Sequence, residues 1–415
     1  MTADNIAAPT LSALVERTGH CRCGQPIFFR NTVCLACGAA LGYEPESAKL
    51  LALEPVADVP ADANLWQQAR SLDSVAGSAL DDTITPCHWR RCTHLETPAA
   101  CNWLVPAEPA DVGATTFCRA CRLNRTIPAL NDPAHPDNGE LWGKVERSKR
   151  RLVSALIALK LPVASRVSED PQRGLMFDLL RGGYSNGHVL TGHEDGLITL
   201  NIEEADDVMR ETARSAMNEP YRTLLGHFRH EAGHYYWYRL IEYSPWLFQF
   251  RALFGDETLH YQGALQRHYQ SGARPDWSDE FVSAYASVHP WEDWAECWAH
   301  YLHMRDTVDT ALNFGLDVEK PQLESASFGP SALYRPDDAD AQRFLKFVNG
   351  WTRLTTLLNE MSRSMGQPDF YPFVLTRRVV AKLQFIHLVV CEAADAADAA
   401  ERQANGSSTE AASSG

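Results

Sequence analysis

His230-Glu231-Ala232-Gly233-His234 is the stretch whose reading decides the fold. On an α-helix, residues four apart share a face, with Cβ atoms about 5–6 Å apart. Two imidazoles so spaced can close on one zinc at about 2.0–2.1 Å per bond. Glu231, beside the first imidazole, can serve as general base for a metal-bound water. The surroundings predict a helix: Leu224, Leu225, Phe228, Tyr235, Trp237, Leu240 and Ile241 recur with helical period, and no Pro interrupts Tyr221 to Ser244. Two His and a Glu on a mostly apolar helix need a reason, because unpaired buried charge is costly; a metal supplies one.

A catalytic zinc takes three protein ligands and leaves a fourth position open. The third is sought downstream, in His289-Pro290-Trp291-Glu292-Asp293-Trp294-Ala295-Glu296-Cys297-Trp298-Ala299-His300-Tyr301. Pro290 suits a first helical turn, and Glu292 and Asp293 there complement the helix dipole. Glu292 and Glu296 share a face. Glu292 is assigned as the third ligand and Glu296 as the acceptor that orients an imidazole N–H, with Asp293 a weaker choice for that second role. The large aromatics around these acids point to burial rather than a solvated face. Tyr285, seven residues before Glu292, can aim a phenol at the metal and stabilise an oxyanion, although a Tyr in an aromatic-rich segment more often simply packs.

At this level of detail the chain resembles a known family. His-Glu-x-x-His followed by Tyr-x6-Glu-x3-Glu resembles the gluzincin layout of lethal-factor-like zincins. The run Gly226 to Trp237, Phe254-Gly255-Asp256-Glu257, and Val282 to Glu296 resemble the bacterial zinc-binding metallopeptidases that carry an N-terminal zinc ribbon. The likeness extends from about Gly19 to about Glu392. It implies zinc-dependent peptide hydrolysis in the cytoplasm, with His230, His234 and Glu292 as ligands and Glu231 as base. The more distant lethal-factor likeness implies Tyr285 as transition-state stabiliser. It says little about substrate.

Eleven cysteines occur, nine of them before residue 122. Such a split implies metal in the N-terminal third. Cys21, Cys23, Cys34 and Cys37 fit one tetrahedral zinc, although Cys21-x-Cys23 is tighter than the usual knuckle. Cys118-x-x-Cys121 is a second knuckle; Cys92 and Cys101 are the preferred partners, with Cys87 able to replace Cys92 and His88 or His94 as weaker substitutes. Cys297 and Cys391 read as inert helix residues. The expected complement is one catalytic and two structural zinc ions.

With 415 residues the chain has room for two or three domains. Its 38 Lys and Arg against 53 Asp and Glu give a net charge of −15, which argues against nucleic acid as a partner. Arg90, Arg91, Arg119, Arg122 and Arg125 make the second cysteine group locally positive, read as surface solvation. The sequence shows no secretory signal and no apolar run of membrane-spanning length; a cytoplasmic location is expected, with a peptide or protein as substrate and the oligomeric state open.

The expected fold class is α+β: a mainly helical zincin-like domain with a small sheet, preceded by a Cys-rich zinc-ribbon module. Residues 1–18 are expected to be flexible, 19–126 to form the ribbon module, 140–397 the metallopeptidase domain, and 398–415 a disordered tail. Residues 44–85 read as a helical or loose insert, and turn signals at 126–138 mark the boundary. Val189 to Ile202 reads as a hairpin with its turn at Gly192–Gly196, Leu197–Ile202 being the edge strand for substrate and His193 facing solvent. Helices are expected at about 140–161, 205–217, 219–242, 245–254, 258–271, 279–287, 290–305, 339–363 and 372–397. His227, His300 and His303 read as structural or surface residues. The favoured function is hydrolysis of peptide bonds; the rivals are a zinc-ribbon adaptor whose zincin scaffold turns over little, and a metal-dependent hydrolase of non-peptide amides.

Overall fold

Short segments punctuated by Gly and Pro fold the first third of the chain into strands. A computed structural model describes residues 13–59, 64–70, 87–107, 116–182, 191–216, 219, 221–316, 318 and 327–413, with side chains to 404. Strands β1 (Thr18–His20) and β2 (Pro26–Phe28) form an antiparallel hairpin. A five-stranded antiparallel meander follows: β3 (Ala40–Glu44), β4 (Lys49–Pro55), β5 (Leu65–Gln68), β6 (Trp89–Arg91) and β7 (Leu104–Pro106). The expected helical or loose insert at 44–85 is therefore corrected: it supplies β4 and β5, while 60–63 and 71–85 lie outside the described residues. The segment Lys49-Leu-Leu-Ala-Leu-Glu is rich in helix formers, but pairing of Leu41 with Ala52 and Tyr43 with Leu50 overrides that local preference.

The rest of the chain is mainly helical around a four-stranded sheet. Its elements are β8 (Asn124–Thr126), α1 (Asn138–Ala158), β9 (Met176–Leu180), β10 (Gly192–Glu194), β11 (Leu197–Asn201), α2 (Asp207–Ala216), α3 (Leu224–Leu240), α4 (Trp246–Phe254), α5 (Tyr261–Ser271), α6 (Trp277–Glu280), α7 (Pro290–Asn313), α8 (Ala341–Ser364) and α9 (Arg377–Ser413). Sheet order is β10-β11-β9-β8, with β10 antiparallel to the other three. The hairpin turn is tighter than expected. Asp195 (φ 46°) and Gly196 (φ 80°) alone form it, the Asp-Gly conformation that matches strand twist. Because β11 pairs with β9 as well as with β10, β11 is interior and β10 is the edge among the described residues, correcting the expected edge strand. Val189 and Leu190 lie outside the described residues.

Four further differences from expectation concern where elements begin and end. Strand β8, expected within the ribbon module, pairs with β9 of the other sheet; Asn124 is fixed there by Glu146 of α1 (2.8 Å). Residues 15–18, expected to be flexible, are anchored: Val15 is buried, and the Arg17 guanidinium is buried against Asp306 of α7 at 2.8 Å. Residues 1–12 lie outside the described residues. Helix α9 runs on through the alanine-rich stretch after Glu392, where helix propensity is high, and is drawn to Ser413, inside the segment expected as a tail. The expected helix at 279–287 is instead α6 followed by a separate single turn at Tyr285–Ser287; Ser283 breaks the run by accepting from Ala286 N at 3.1 Å.

Helices α3 and α7 cross at the centre, with α1, α8 and α9 packed around them. Trp142, Trp294, Trp298 and Trp351 are fully buried there. Each such ring removes about 150–250 Å² from water, so these residues dominate the core energetically. Among the described residues no helix is long and apolar enough to cross a membrane.

Candidate metal centre

Helix α3 holds His230 and His234 one turn apart, and the first turn of α7 holds Glu292. A close crossing brings them together. A Cβ on Gly233 would lie 2.8 Å from Ala295 Cα and 3.2 Å from Trp298 Cβ, so only glycine lets the two backbones approach this far. The Trp294 indole donates to the Gly233 carbonyl at 2.8 Å and fixes the register of the crossing.

At the crossing, His230 Nε2 lies 3.0 Å from Glu292 Oε2, His234 Nε2 lies 3.6 Å from Glu292 Oε1, and the two Nε2 atoms are 3.2 Å apart. A tetrahedral ion with bonds of about 2.0–2.2 Å has ligand–ligand edges of about 3.3–3.6 Å, close to all three spacings. His230 Nδ1 lies 2.8 Å from Glu296 Oε1. If Nδ1 carries the proton toward that carboxylate, Nε2 keeps its lone pair for the shared point. Glu292 Oε2 is buried with no hydrogen-bond partner among the described residues. Converging lone pairs with no donor between them fit a cation. Burial opposes charge on His230, but Glu292 and Glu296 raise its imidazole well above the ordinary value, so the acids at this point favour a positive charge there, carried by a proton or by a cation. Burial likewise works against the Glu292 carboxylate, yet His234 and His230 hold it well below the ordinary range.

Behind these groups stands a supporting shell. Ser283 donates to Glu296 Oε2 at 2.6 Å. Tyr261, at the start of α5, donates to Glu292 Oε1 at 2.6 Å; no spacing rule in the sequence pointed to it, since it lies outside the two motif stretches. The Tyr285 ring lies 6.0 Å from that of His230. Burial and Glu292 raise both phenols well above the ordinary tyrosine value, so both remain hydroxyl donors. Glu231, half-buried and next to His230 on α3, adds its charge to both shifts.

Other residues fall elsewhere. Asp293, the weaker choice for orienting an imidazole, turns away to Lys382 Nζ of α9 at 2.6 Å. His193 does not face solvent from a turn. It sits on edge strand β10, its ring stacked 6.3 Å from that of His234, and burial together with His234 pushes its imidazole down to about 3, so it is neutral. The short turn explains the difference, because it moves His193 from loop to strand. His227 pairs with Glu204, His300 with Tyr371 and His303 with Arg229, all in structural roles.

The cysteines form two groups of four, Cys21, Cys23, Cys34 and Cys37, and Cys92, Cys101, Cys118 and Cys121. Sulfur separations are 3.6 Å for Cys21–Cys37, 3.8 Å for Cys23–Cys34 and 3.6 Å for Cys101–Cys118. Tetrahedral zinc with bonds of about 2.3 Å has sulfur–sulfur edges of about 3.8 Å. Cys87 is exposed; it, His88 and His94 all lie outside both groups. The tight Cys21-x-Cys23 pair is accommodated at the β1–β2 turn, where Gly24 adopts φ 80°.

Comparison with known proteins finds a family for each part of the chain. A family model described as "putative zinc-binding metallo-peptidase" matches residues 138–389, and a zinc-ribbon domain model matches residues 19–132. Uncharacterized proteins of Mycobacterium tuberculosis and Mycobacterium bovis are each 43% identical over 380 residues, covering 91% of this chain and 96% of the relative. No solved structure matches the chain.

Proposed function

Because this chain belongs to the family of zinc-binding metallo-peptidases, with a zinc-ribbon domain ahead of the matched region, we propose that it hydrolyses peptide bonds at the α3–α7 crossing. The observation that carries the reading is the convergence of His230 Nε2, His234 Nε2 and a buried, unpartnered Glu292 oxygen. These three residues would hold the catalytic zinc, and the two four-cysteine groups would hold structural ones. A zinc ion bound there supplies Lewis acidity toward the scissile carbonyl and toward water.

The chain's own residues do the rest. The Glu231 carboxylate accepts a proton from the attacking water and returns it to the nitrogen of the leaving amine. The Tyr285 hydroxyl donates to the oxygen that gains charge at the scissile carbon. Tyr261 and Glu296 hold Glu292 and His230 in place through their hydrogen bonds. The substrate is a peptide or protein, and the edge strand β10, whose His193 stacks on His234, suits pairing with an extended backbone. Eleven cysteines free of disulfides suit a reducing compartment, and we place the protein in the cytoplasm.

The deciding experiment replaces Glu231 with Gln and measures both zinc content and turnover on a panel of peptides and non-peptide amides. The variant should keep its zinc and lose peptide hydrolysis by two or more orders of magnitude. Undiminished turnover would remove Glu231 from the reaction; cleavage of non-peptide amides alone would replace the substrate class.

A further inference from the structure

Three more side chains with metal-binding atoms converge far along the chain from the α3–α7 centre, where α8 begins against α9. His387 and Cys391 lie one turn apart on α9 and so share a face. Asp340 immediately precedes α8. An Asp there ordinarily accepts a hydrogen bond from the first turn of its helix, but Asp340 makes no such bond. Instead its Oδ2 lies 2.8 Å from His387 Nε2, and Cys391 Sγ lies 3.7 Å from the same nitrogen. One ligand atom from each residue falls within 4.8 Å of the others. The imidazole is already oriented: its Nδ1 lies 3.0 Å from the Tyr301 hydroxyl, and the Phe344 ring lies against it at 5.2 Å.

We propose that Asp340, His387 and Cys391 form a further binding site for a divalent cation of the zinc class. A thiolate with an imidazole selects a borderline-soft ion and disfavours magnesium and calcium. The thiolate and carboxylate together balance a double positive charge. Binding at about 2.0–2.3 Å calls for a nitrogen–sulfur edge of about 3.5 Å on the outer side of Nε2; the sulfur lies over the ring, 3.7 Å from Nε2 and 3.9 Å from Nδ1, so binding turns the Cys391 side chain toward Asp340. The nitrogen–oxygen spacing is shorter than a coordinated edge, as the 3.0 Å spacing between His230 and Glu292 also is. Tyr301 supplies the outer hydrogen bond that a ligating histidine normally has on its second nitrogen. On binding, the Cys391 thiol proton and the proton shared by His387 and Asp340 leave to solvent. Cys297 shows the contrast: it is fully buried, and its thiol donates to Asp293 at 3.6 Å with no imidazole in its hydrogen-bonding range among the described residues. Three protein ligands with a partly exposed carboxylate, its side chain 36% accessible, leave a coordination position open, so the ion is exchangeable.

The test uses the full chain, treated with a weak chelator and then supplied with Zn²⁺ alone. Alkylation of Cys391 by iodoacetamide is followed by peptide mass, with exposed Cys87 as internal control. Zinc should slow alkylation of Cys391 about tenfold or more and leave Cys87 unchanged; Mg²⁺ should protect neither. Asp340→Asn should abolish the protection. Tyr301→Phe should raise the zinc concentration needed by about tenfold. Metal analysis should find one zinc fewer in Cys391→Ser than in the parent, with circular dichroism unchanged. Equal alkylation of Cys391 with and without zinc, or equal zinc in parent and folded Cys391→Ser, would overturn the proposal.

Discussion

The two four-cysteine groups have the same ligands and nearly the same sulfur spacings, yet they sit in different surroundings. The first belongs to a small satellite core with Ile27, Leu41 and Ala52, and Cys23 and Cys37 remain partly exposed. The second has all four sulfur residues buried within the main core, beside Leu141 and Trp142 of α1. A zinc bound by four thiolates carries two net negative charges, and burying them requires compensation. Arg150 of α1 supplies it: buried, it donates to Ala99 O at 2.7 Å, and the charges of Cys101, Cys121 and Cys118 act on its guanidinium. The difference teaches that one group organises a local hairpin, whereas the other joins the cysteine-rich region to the helical one. Strand β8, three residues after Cys121, carries that junction straight into the second sheet.

Breaking the buried group should have the largest effect. Structural zinc contributes on the order of 10–16 kcal/mol in small zinc-binding peptides, comparable to or above the 5–15 kcal/mol by which whole domains are stable. Cys118→Ser should therefore prevent folding of the helical region as well, seen as loss of soluble protein and of amide-exchange protection in α1. If α1 stayed protected, the two groups would be equivalent and the contrast would fall.

Asp306 tests the same seam without touching a cysteine. It is buried and joined to Arg17 (2.8 Å), Arg151 (2.6 Å) and Arg229 (2.6 Å), linking the segment before β1 to α1, α3 and α7. Asp306→Ala should cost about 3–5 kcal/mol, because it leaves buried guanidinium charge unpaired. Burial works against its carboxylate, but Arg17, Arg229 and Arg151 hold it well below the ordinary range. A depressed carboxyl gives stability that is complete above the unfolded value of about 3.9 and fades only as pH falls toward the lower folded value. Urea midpoints of parent and Asp306→Asn should thus differ by a constant amount from pH 7 to pH 5 and converge only in stronger acid. Convergence near neutrality would contradict the network.

A smaller loss, about 1–3 kcal/mol, is expected for Gly233→Ala, where the added methyl must push α3 from α7. Because His230, His234 and Glu292 depend on that approach, zinc at the crossing should be lost more readily than zinc in either cysteine group, measured by chelator competition. The smallest effect on the helical region is expected from Cys37→Ser: one zinc released and the β1–β2 hairpin loosened, with α3 and α7 unchanged by amide exchange. Unfolding of the helical region in this variant would make the first group as central as the second.

The convergence of His230, His234 and Glu292 was legible in the chain because its signals are local: an i, i+4 pair on one helix and a Pro-started helix with acids in its first turn. The choice of Cys92 over Cys87 followed from the same kind of local likeness. Tyr261 was not legible, since it reaches Glu292 from a helix 31 residues away. His193 was misplaced because a hairpin register depends on turn geometry, and one register step exchanges strand for loop. Strand β4 was hidden by its helix-forming residues, which only the neighbouring strands overrule.

Sequence alone settled which side chains are available to bind metal and which helices carry them, because helical periodicity and cysteine spacing act within a few residues. Only the tertiary structure decided how closely α3 and α7 approach, which strand forms the sheet edge, and which cysteine group is buried. Each of these depends on packing between segments distant in the chain, where a missing methyl group at Gly233 or a buried Arg150 matters more than any local preference.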